Sequence, residues 1–212
     1  MKEGKKVSDA VIKRLPRYLR YLDDLHEEGI ERISSGELGK LMGITASQIR
    51  QDLNCFGGFG QQGYGYNVNN MREEISTILG LNNTELSLIV LGAGHLGTAI
   101  ANYTNFEKRG FKIKAIFDIN PEIIGKKIKD VEISDVKYLE EFLSSNKIDI
   151  VVFTMPAVAI KSVLDIIVKS DIKGIWNFSY LNLKVPEHIA MENVHMSDSL
   201  MSLSYKITQN KK

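Results

Sequence analysis

The stretch LSLIVLGAGHLGTAIANY, from Leu86 to Tyr103, decides the reading of this chain. Leu86 to Leu91 is an apolar run but for Ser87, the pattern of a strand buried on both faces of a parallel sheet. Gly92, Gly94 and Gly97 follow in GxGxxG spacing, with Ala93, His95 and Leu96 between them. Leu96, Ala99, Ile100 and Tyr103 then recur as on a helix. Such a turn has a physical task for each glycine. Gly92 makes the tight bend, Gly94 lets the backbone approach a pyrophosphate, and Gly97 lets the helix pack closely on the strand. The helix N-terminus then faces the phosphates.

Toward the C-terminus the alternation continues. IKAIFDIN (113–120) reads as a second strand. Its Asp118 lies about 20 residues past the motif, where an acid accepts hydrogen bonds from an adenosine ribose, favouring NAD over NADP. The competing reading of Asp118 is a strand-end cap. VKYLEEFLSSN (136–146) is a helix, IDIVVFTMP (148–156) a strand, AVAIKSVLDIIVKSD (157–171) a helix and IKGIWNF (172–178) a strand. This rhythm predicts an α/β fold, a Rossmann-like doubly wound parallel sheet with helices on both faces. Ligands bind outside the carboxyl ends of such strands, so Thr154, Pro156, Asn177 and Phe178 are expected to line the pocket. Trp176 is expected in the core. The stretch from Ser199 is amphipathic, and either packs on its own domain or docks on a second subunit.

Toward the N-terminus a polar seam at Asn82, Asn83 and Thr84 marks a boundary, preceded by a short linking helix from Met71 to Leu79. The first segment carries Val11, Leu15, Tyr18, Leu19, Leu22 and Leu25 at helical spacing, with Pro16 beginning or kinking the main helix and Gly29 ending it. Ser34 and Glu37 have capping-box spacing, Gly43 breaks that second helix, and Thr45 caps a third. On the third helix Ala46, Ile49, Leu53 and Phe56 face inward, while Ser47, Gln48, Arg50, Gln51 and Asn54 face out. Two short helices joined by a Gly-containing turn make a helix-turn-helix, and those outward side chains are the types that pair with base edges and phosphates. FGGFGQQGYGY (56–66) predicts a β-hairpin wing with its tip near Gln61 and Gln62, anchored by Phe59, Tyr64 and Tyr66. The alternative is a helical dimerisation module with a structural hairpin.

Composition bounds the rest. The chain has 212 residues, 43% hydrophobic and 25% charged, with a net charge of +1. It is ordinary for a globular protein. No apolar run spans a bilayer and no signal core opens the chain, so cytoplasmic residence is expected, with no membrane partner. Cys55 is the only cysteine, which excludes an intrachain disulfide and argues against a metal site; it is expected as a small buried hydrophobe. From Met1 to Tyr21 seven cations, Arg14 among them, face two anions, a basic arm fit either for phosphates or for solvent.

The stretches RLPRYLRYL, RISSGELGKLMGITASQIRQDL, FGGFGQQGYGYNV, LGAGHLGTAIANY, FDIN, TMPAVA, IKGIWNFS and VPEHIAMENV span nearly the whole chain. Together they resemble the Rex family of redox-sensing transcriptional repressors. The resemblance implies an NADH- and NAD-binding repressor, not an enzyme. It implies a homodimer that binds a palindromic operator of double-stranded DNA when NADH is low and leaves it when NADH binds. It implies a winged-helix domain over 1–80, a Rossmann domain over 84–197 and a C-terminal helix over 198–212 exchanged between subunits. By the same resemblance Gly92, Gly94, Gly97 and Asp118 hold the cofactor, Tyr103 lies close to the nicotinamide, and Arg14 belongs to an interdomain switch. Two positions depart from the family. His195 stands where relatives often carry Asp and cannot pair with Arg14 as a carboxylate would, which implies a switch that either uses another contact, such as one involving Asp198, or is weaker. Gln61 and Gln62 stand where many relatives carry Lys or Arg, which implies a shallower salt dependence of DNA binding. An NAD-dependent oxidoreductase is the enzyme alternative, and a sensor of another nucleotide such as coenzyme A the regulatory one.

Overall fold

In a computed structural model, residues 7–57, 64–82 and 84–209 are described. The chain divides into two compact units, 1–84 and 85–212.

The first unit is helical. α1 (Asp9–Ile12) is separated from α2 (Leu15–Glu27) at Lys13 and Arg14, and Pro16 sits in the first turn of α2, where its missing N–H is no loss. β1 (Arg32–Ile33) leads to α3 (Ser35–Met42). Both halves of the Ser34–Glu37 capping box form, and Gly43 closes α3 at φ 66°, a left-handed conformation that suits glycine. Thr45 Oγ1 accepts from Gln48 N at 3.1 Å to open α4 (Ala46–Asn54). β2 (Tyr66–Asn67) then pairs antiparallel with β1, Ile33 opposite Tyr66. Tyr66, expected as an anchor of the hairpin, is thus held by pairing with β1. Tyr64 is no anchor, being 75% exposed. Phe59, Gln61 and Gln62 lie outside the described residues. α5 (Val68–Ile78) begins earlier than the expected linker and is more than a linker. Asn67 caps it, and Val68, Met71 and Ile75 enter the core that Leu15, Tyr18, Leu22, Leu38, Ile49 and Leu53 also build. Cys55 also corrects the expectation: it is exposed, because it caps the outer end of α4 instead of joining the Ile49–Leu53 stripe.

The second unit is a seven-stranded sheet. β3 (Leu86–Leu91) is followed by α6 (His95–Asn102), α7 (Asn105–Lys108), β4 (Phe111–Asp118), β5 (Lys127–Ile128) and β6 (Val131–Asp135). After a 3₁₀ turn over Val136–Tyr138 come α8 (Leu139–Ser145), β7 (Ile150–Phe153), α9 (Ala157–Lys169), β8 (Gly174–Asn177) and β9 (Ala190–Asn193). The order is β5-β6-β4-β3-β7-β8-β9, with β5 alone antiparallel. Without β5 this is the 3-2-1-4-5-6 order of a dinucleotide-binding sheet, and the order reverses between β3 and β7. Consecutive residues of β3 serve opposite layers. Ile89 and Leu91 pack with Phe117, Leu139, Phe153 and Ile160 under α8 and α9, while Leu88 and Val90 pack with Ile100, Ile116 and Val152 under α6. β5, β6 and β9 were not expected; β5 and β9 are the edge strands, β6 lies next to β5, and all three are short and rich in polar residues. α10 (Met196–Gln209) has no buried residue, and Leu200, Met201, Leu203, Tyr205 and Ile207 are all at least 49% exposed.

At the opposite rim from the glycine turn, Asp149 ties β3 to β7. Its carboxylate accepts from Ser87 N (3.0 Å), Ser87 Oγ (2.9 Å) and Lys173 Nζ (2.8 Å). Burial opposes its charge, but these donors prevail and hold its pKa down to about 2. A carboxyl depressed in the folded state gives stability that is complete above its unfolded pKa near 4 and disappears as pH falls through the folded value. Asp149→Asn is expected to cost about 2 kcal/mol at pH 7, with the deficit relative to the wild type shrinking between pH 4 and pH 2. Urea titration of the Trp176 fluorescence, which reports on this unit, measures it.

Candidate functional sites

In the second unit the site is built at the end of β3. Gly92 has φ 105°, and a Cβ there would come within 2.9 Å of Met155 N and 3.0 Å of the Thr154 carbonyl carbon. At Gly97 a Cβ would run into Gly92 O and stand 2.9 Å from Thr154 Oγ1. Only glycine permits α6 to start this close to the β3–β7 junction. Gly94 differs. It caps α6 at φ −67°, and the space where its Cβ would lie is empty to beyond 4 Å. Its hydrogen leaves room for an outside group, and the unpaired N–H groups of the first turn of α6 favour an anion there. His95 is exposed beside it, Leu96 half-buried and Ala93 buried. The donor set is backbone amide throughout, which suits a pyrophosphate.

Asp118 ends β4 at this turn. Its Oδ2 accepts from Ala93 N at 2.6 Å and its Oδ1 from Asn120 N at 2.8 Å. Of the two roles weighed from sequence, the strand-end cap is the one these bonds make, and each oxygen keeps a lone pair beyond them. Thr154 was expected on the pocket wall, but its hydroxyl is bonded to the turn, 2.7 Å from Gly92 O and 3.1 Å from Leu91 O. Asn177 must be taken off the wall. It has no exposed surface, its amide donates to Leu181 O and Asn193 Oδ1, and its Oδ1 accepts from Ser179 N and Oγ. It holds the loop after β8. Pro156 is exposed before α9.

Tyr103 is 53% exposed at the end of α6 and begins an aromatic chain that sequence reading missed. Its ring meets Phe106 edge-on at 4.8 Å, Phe106 meets Trp176 at 5.7 Å, and Trp176 meets Phe178 at 4.6 Å. Trp176 joins the α6-side core as expected, and it also backs this apolar strip. Nothing local in sequence links residues 103 and 176; they meet because β8 lies two strands from β3.

In the first unit, α4 presents exposed Ser47, Arg50 and Gln51. Arg50 Nη1 donates to Ser35 Oγ at 2.9 Å. The residue missed from sequence is Asp52. It is fully buried, on the stripe of Ile49 and Leu53. Arg14 grips it with Nε at 2.6 Å and Nη2 at 2.7 Å, Tyr18 OH donates at 3.0 Å and Gln48 Nε2 at 2.8 Å. Burial raises the carboxyl pKa, but Arg14, Gln48 and Tyr18 together bring it below the ordinary value, and burial with Asp52 pushes the Tyr18 phenol up. Arg14 and Gln48, both expected at DNA, thus have a carboxylate partner inside the unit. A seven-cation arm with two anions was the available signal that one cation needs a buried acid. His195 is half-buried, stacked on Tyr180 at 5.8 Å, with Nδ1 unpartnered. Among the described residues no helix is long and apolar enough to cross a membrane, and no His/Cys/Asp/Glu group is arranged for a metal.

Comparison with known proteins agrees with this division. Residues 6–54 match the family described as "Putative DNA-binding protein N-terminus", and residues 83–181 match "CoA binding domain". The redox-sensing transcriptional repressor Rex of Clostridium botulinum strain Hall is 54% identical over 209 residues, 99% of each chain. That of Thermoanaerobacter pseudethanolicus is also 54% identical, over 99% of this chain and 93% of its own. A solved structure of RSP in complex with β-NAD+ and operator DNA superposes with TM-score 0.89 at 54% identity, covering 98% of this chain and 95% of that one. RSP in complex with β-NADH gives TM-score 0.89 at 51% identity, over 98% and 97%.

Two variant pairs test the geometry. Gly97→Ala is expected to destabilise the second unit by about 1–3 kcal/mol through the collision with Gly92 O. Gly94→Ala is expected to leave stability within about 0.5 kcal/mol while obstructing the approach to the α6 N-terminus. Thermal melts with a nucleotide titration separate the two. In the first unit Arg14→Met, which strands a buried carboxylate, is expected to cost about 3–5 kcal/mol, and Asp52→Asn less, because the Arg14 side chain keeps 24% of its surface in water. Urea melts followed by circular dichroism measure both.

Proposed function

The chain belongs to the Rex family of redox-sensing transcriptional repressors, and on that premise we propose that it is an NADH-responsive repressor acting as a homodimer in the cytoplasm. It occupies a palindromic operator when NADH is low and releases it when NADH binds. The observation that carries the reading is the union in one chain of a reading helix with a free polar face and a glycine turn with open space at Gly94. In the relative RSP the corresponding chain is in complex with β-NAD+ and operator DNA.

The roles follow from the chemistry of each group. Ser47, Arg50 and Gln51 meet bases and phosphates. Gln48 is steadied by Asp52, and Gln61 and Gln62, outside the described residues, belong to the wing. The amides of Gly92 to Gly97 take the pyrophosphate, Asp118 the ribose hydroxyls. Tyr103, Phe178, Pro156 and Thr154 surround the pyridine ring, whose redox state is what the bound cofactor supplies. Reduction removes the ring's positive charge, and an apolar strip such as Tyr103–Phe106–Trp176–Phe178 accepts a neutral ring more readily than a cation. A difference of that kind can shift a two-state dimer. The exposed apolar stripe of α10 supports exchange with a second subunit. A regulator, not an enzyme, is the reading, since the relatives are named repressors.

Titrating NADH into an operator-bound sample tests the coupling. Operator affinity is expected to fall about 5- to 150-fold at saturation, a coupling of about 1–3 kcal/mol. Unchanged affinity refutes the reading. In the same assay Arg50→Ala is expected to weaken operator binding by about 1–3 kcal/mol and leave NADH affinity intact.

A further inference from the structure

The rim of the adenosine side of the cleft carries a second carboxylate that the motif reading does not use. β4 and β6 run parallel with Asp118 directly paired with Asp135. Register partners on neighbouring strands lie about 4.8 Å apart at Cα and point to the same face. That face is the α6 side in both strands, since Ile116 and Ile133, two residues before each Asp, lie in the core cluster under α6. Both acids end their strands, at the carboxyl edge where the glycine turn lies. Asp135 Oδ1 accepts from Lys137 N at 3.0 Å, and Oδ2 pairs with Lys137 Nζ at 3.0 Å. The Lys137 N–H and ammonium hold the Asp135 carboxyl below its ordinary value, so it is ionised at neutral pH.

We propose that Asp135 is a specificity-determining residue which, with Asp118, excludes adenosines phosphorylated on the ribose, and that Lys137 moderates it. This rests on the reading of Asp118 as the ribose acceptor. A ribose held by Asp118 presents its hydroxyls to two carboxylates, not one. Unmodified hydroxyls can donate to either. A phosphate ester on the 2′ oxygen, as in NADPH, or on the 3′ oxygen, as in coenzyme A, brings an anion of charge about −1.5 to −2 beside both acids. Lys137 is the cation that could receive that phosphate, and Asp135 already holds it. The pair therefore acts twice against a phosphorylated ribose: it places one negative charge nearby and occupies the positive one. This bears on the second unit's match to a family described as coenzyme A binding: the fold is shared, and the paired acids select against that ligand's adenosine 3′-phosphate.

The test uses the full-length protein and four probes: NADH, NADPH, coenzyme A and dephospho-coenzyme A. Dissociation constants are read by fluorescence for the pyridine nucleotides and by calorimetry for the others. In Asp135→Asn, which keeps an acceptor for the Lys137 N–H, NADPH affinity is expected to rise about tenfold while NADH stays within about twofold. Coenzyme A gains over dephospho-coenzyme A in the same variant. Combining Asp135→Asn with Lys137→Met is expected to return part of the NADPH gain. At about 0.5 M salt the difference between wild type and variant narrows. An unchanged NADPH-to-NADH ratio in Asp135→Asn overturns the proposal, as does an equal change for both nucleotides, which is what a turn-shaping role alone would produce. A wild-type protein that binds no NADH overturns the ribose reading beneath it, and is told apart from the former result by the NADH titration itself.

Discussion

At Gly97 the backbone of α6 comes so near the carbonyl oxygen of Gly92 that a Cβ there would run into it, and no side chain fits. Everything in the second unit is arranged around that contact. Thr154, from the strand across the switch point, bonds the same carbonyl, and Asp118, from the strand on the other side, accepts from the amide of Ala93. Three strands thus fix one turn through backbone groups, with α6 starting immediately above it. A site for a polyanion made of amides needs this rigidity.

The first unit solves a different problem, a charge in a core. Asp52 sits among Tyr18, Ile49 and Leu53 with no access to water. A carboxylate there is tolerable because four hydrogen bonds reach it from three side chains. Arg14 and Tyr18 come from the N-terminal helices and Gln48 from α4 itself, so the acid ties the reading helix to the start of the chain. Arg14 thus has its carboxylate within its own unit, whatever residue stands at position 195.

Legibility followed the range of the forces involved. The capping box at Ser34, the caps at Thr45 and Asn67, and the stop at Gly43 depend on residues within a few positions of each other. All but the Asn67 cap could be read directly. The apolar runs of β3, β4, β7 and β8 are buried on both faces, so hydrophobicity alone exposed them. β5 and β9 lie at the sheet edges and β6 is covered on its outer side only by the two-residue β5, so all three carry polar residues and no pattern announced them. Asp52 and Asn177 are buried polar residues whose partners lie 38 and 16 positions away, which no window on a sequence can see. Cys55 went the other way, since side-chain chemistry favoured burial and its place at a helix end decided for exposure.

The pairing of Ile33 with Tyr66 has a consequence for how this protein diverges. Along the chain, α3 and α4 lie between the two strands of that clasp, and their inward residues join the core it borders. Gly65, at φ 72° with its hydrogen against Ile33 O, lets the returning chain close tightly. The two helices are therefore held between fixed posts at both ends of their stretch of chain. The exposed residues of α4 take no part in this scaffold, so substitutions there leave the posts, the inward stripe and Asp52 undisturbed.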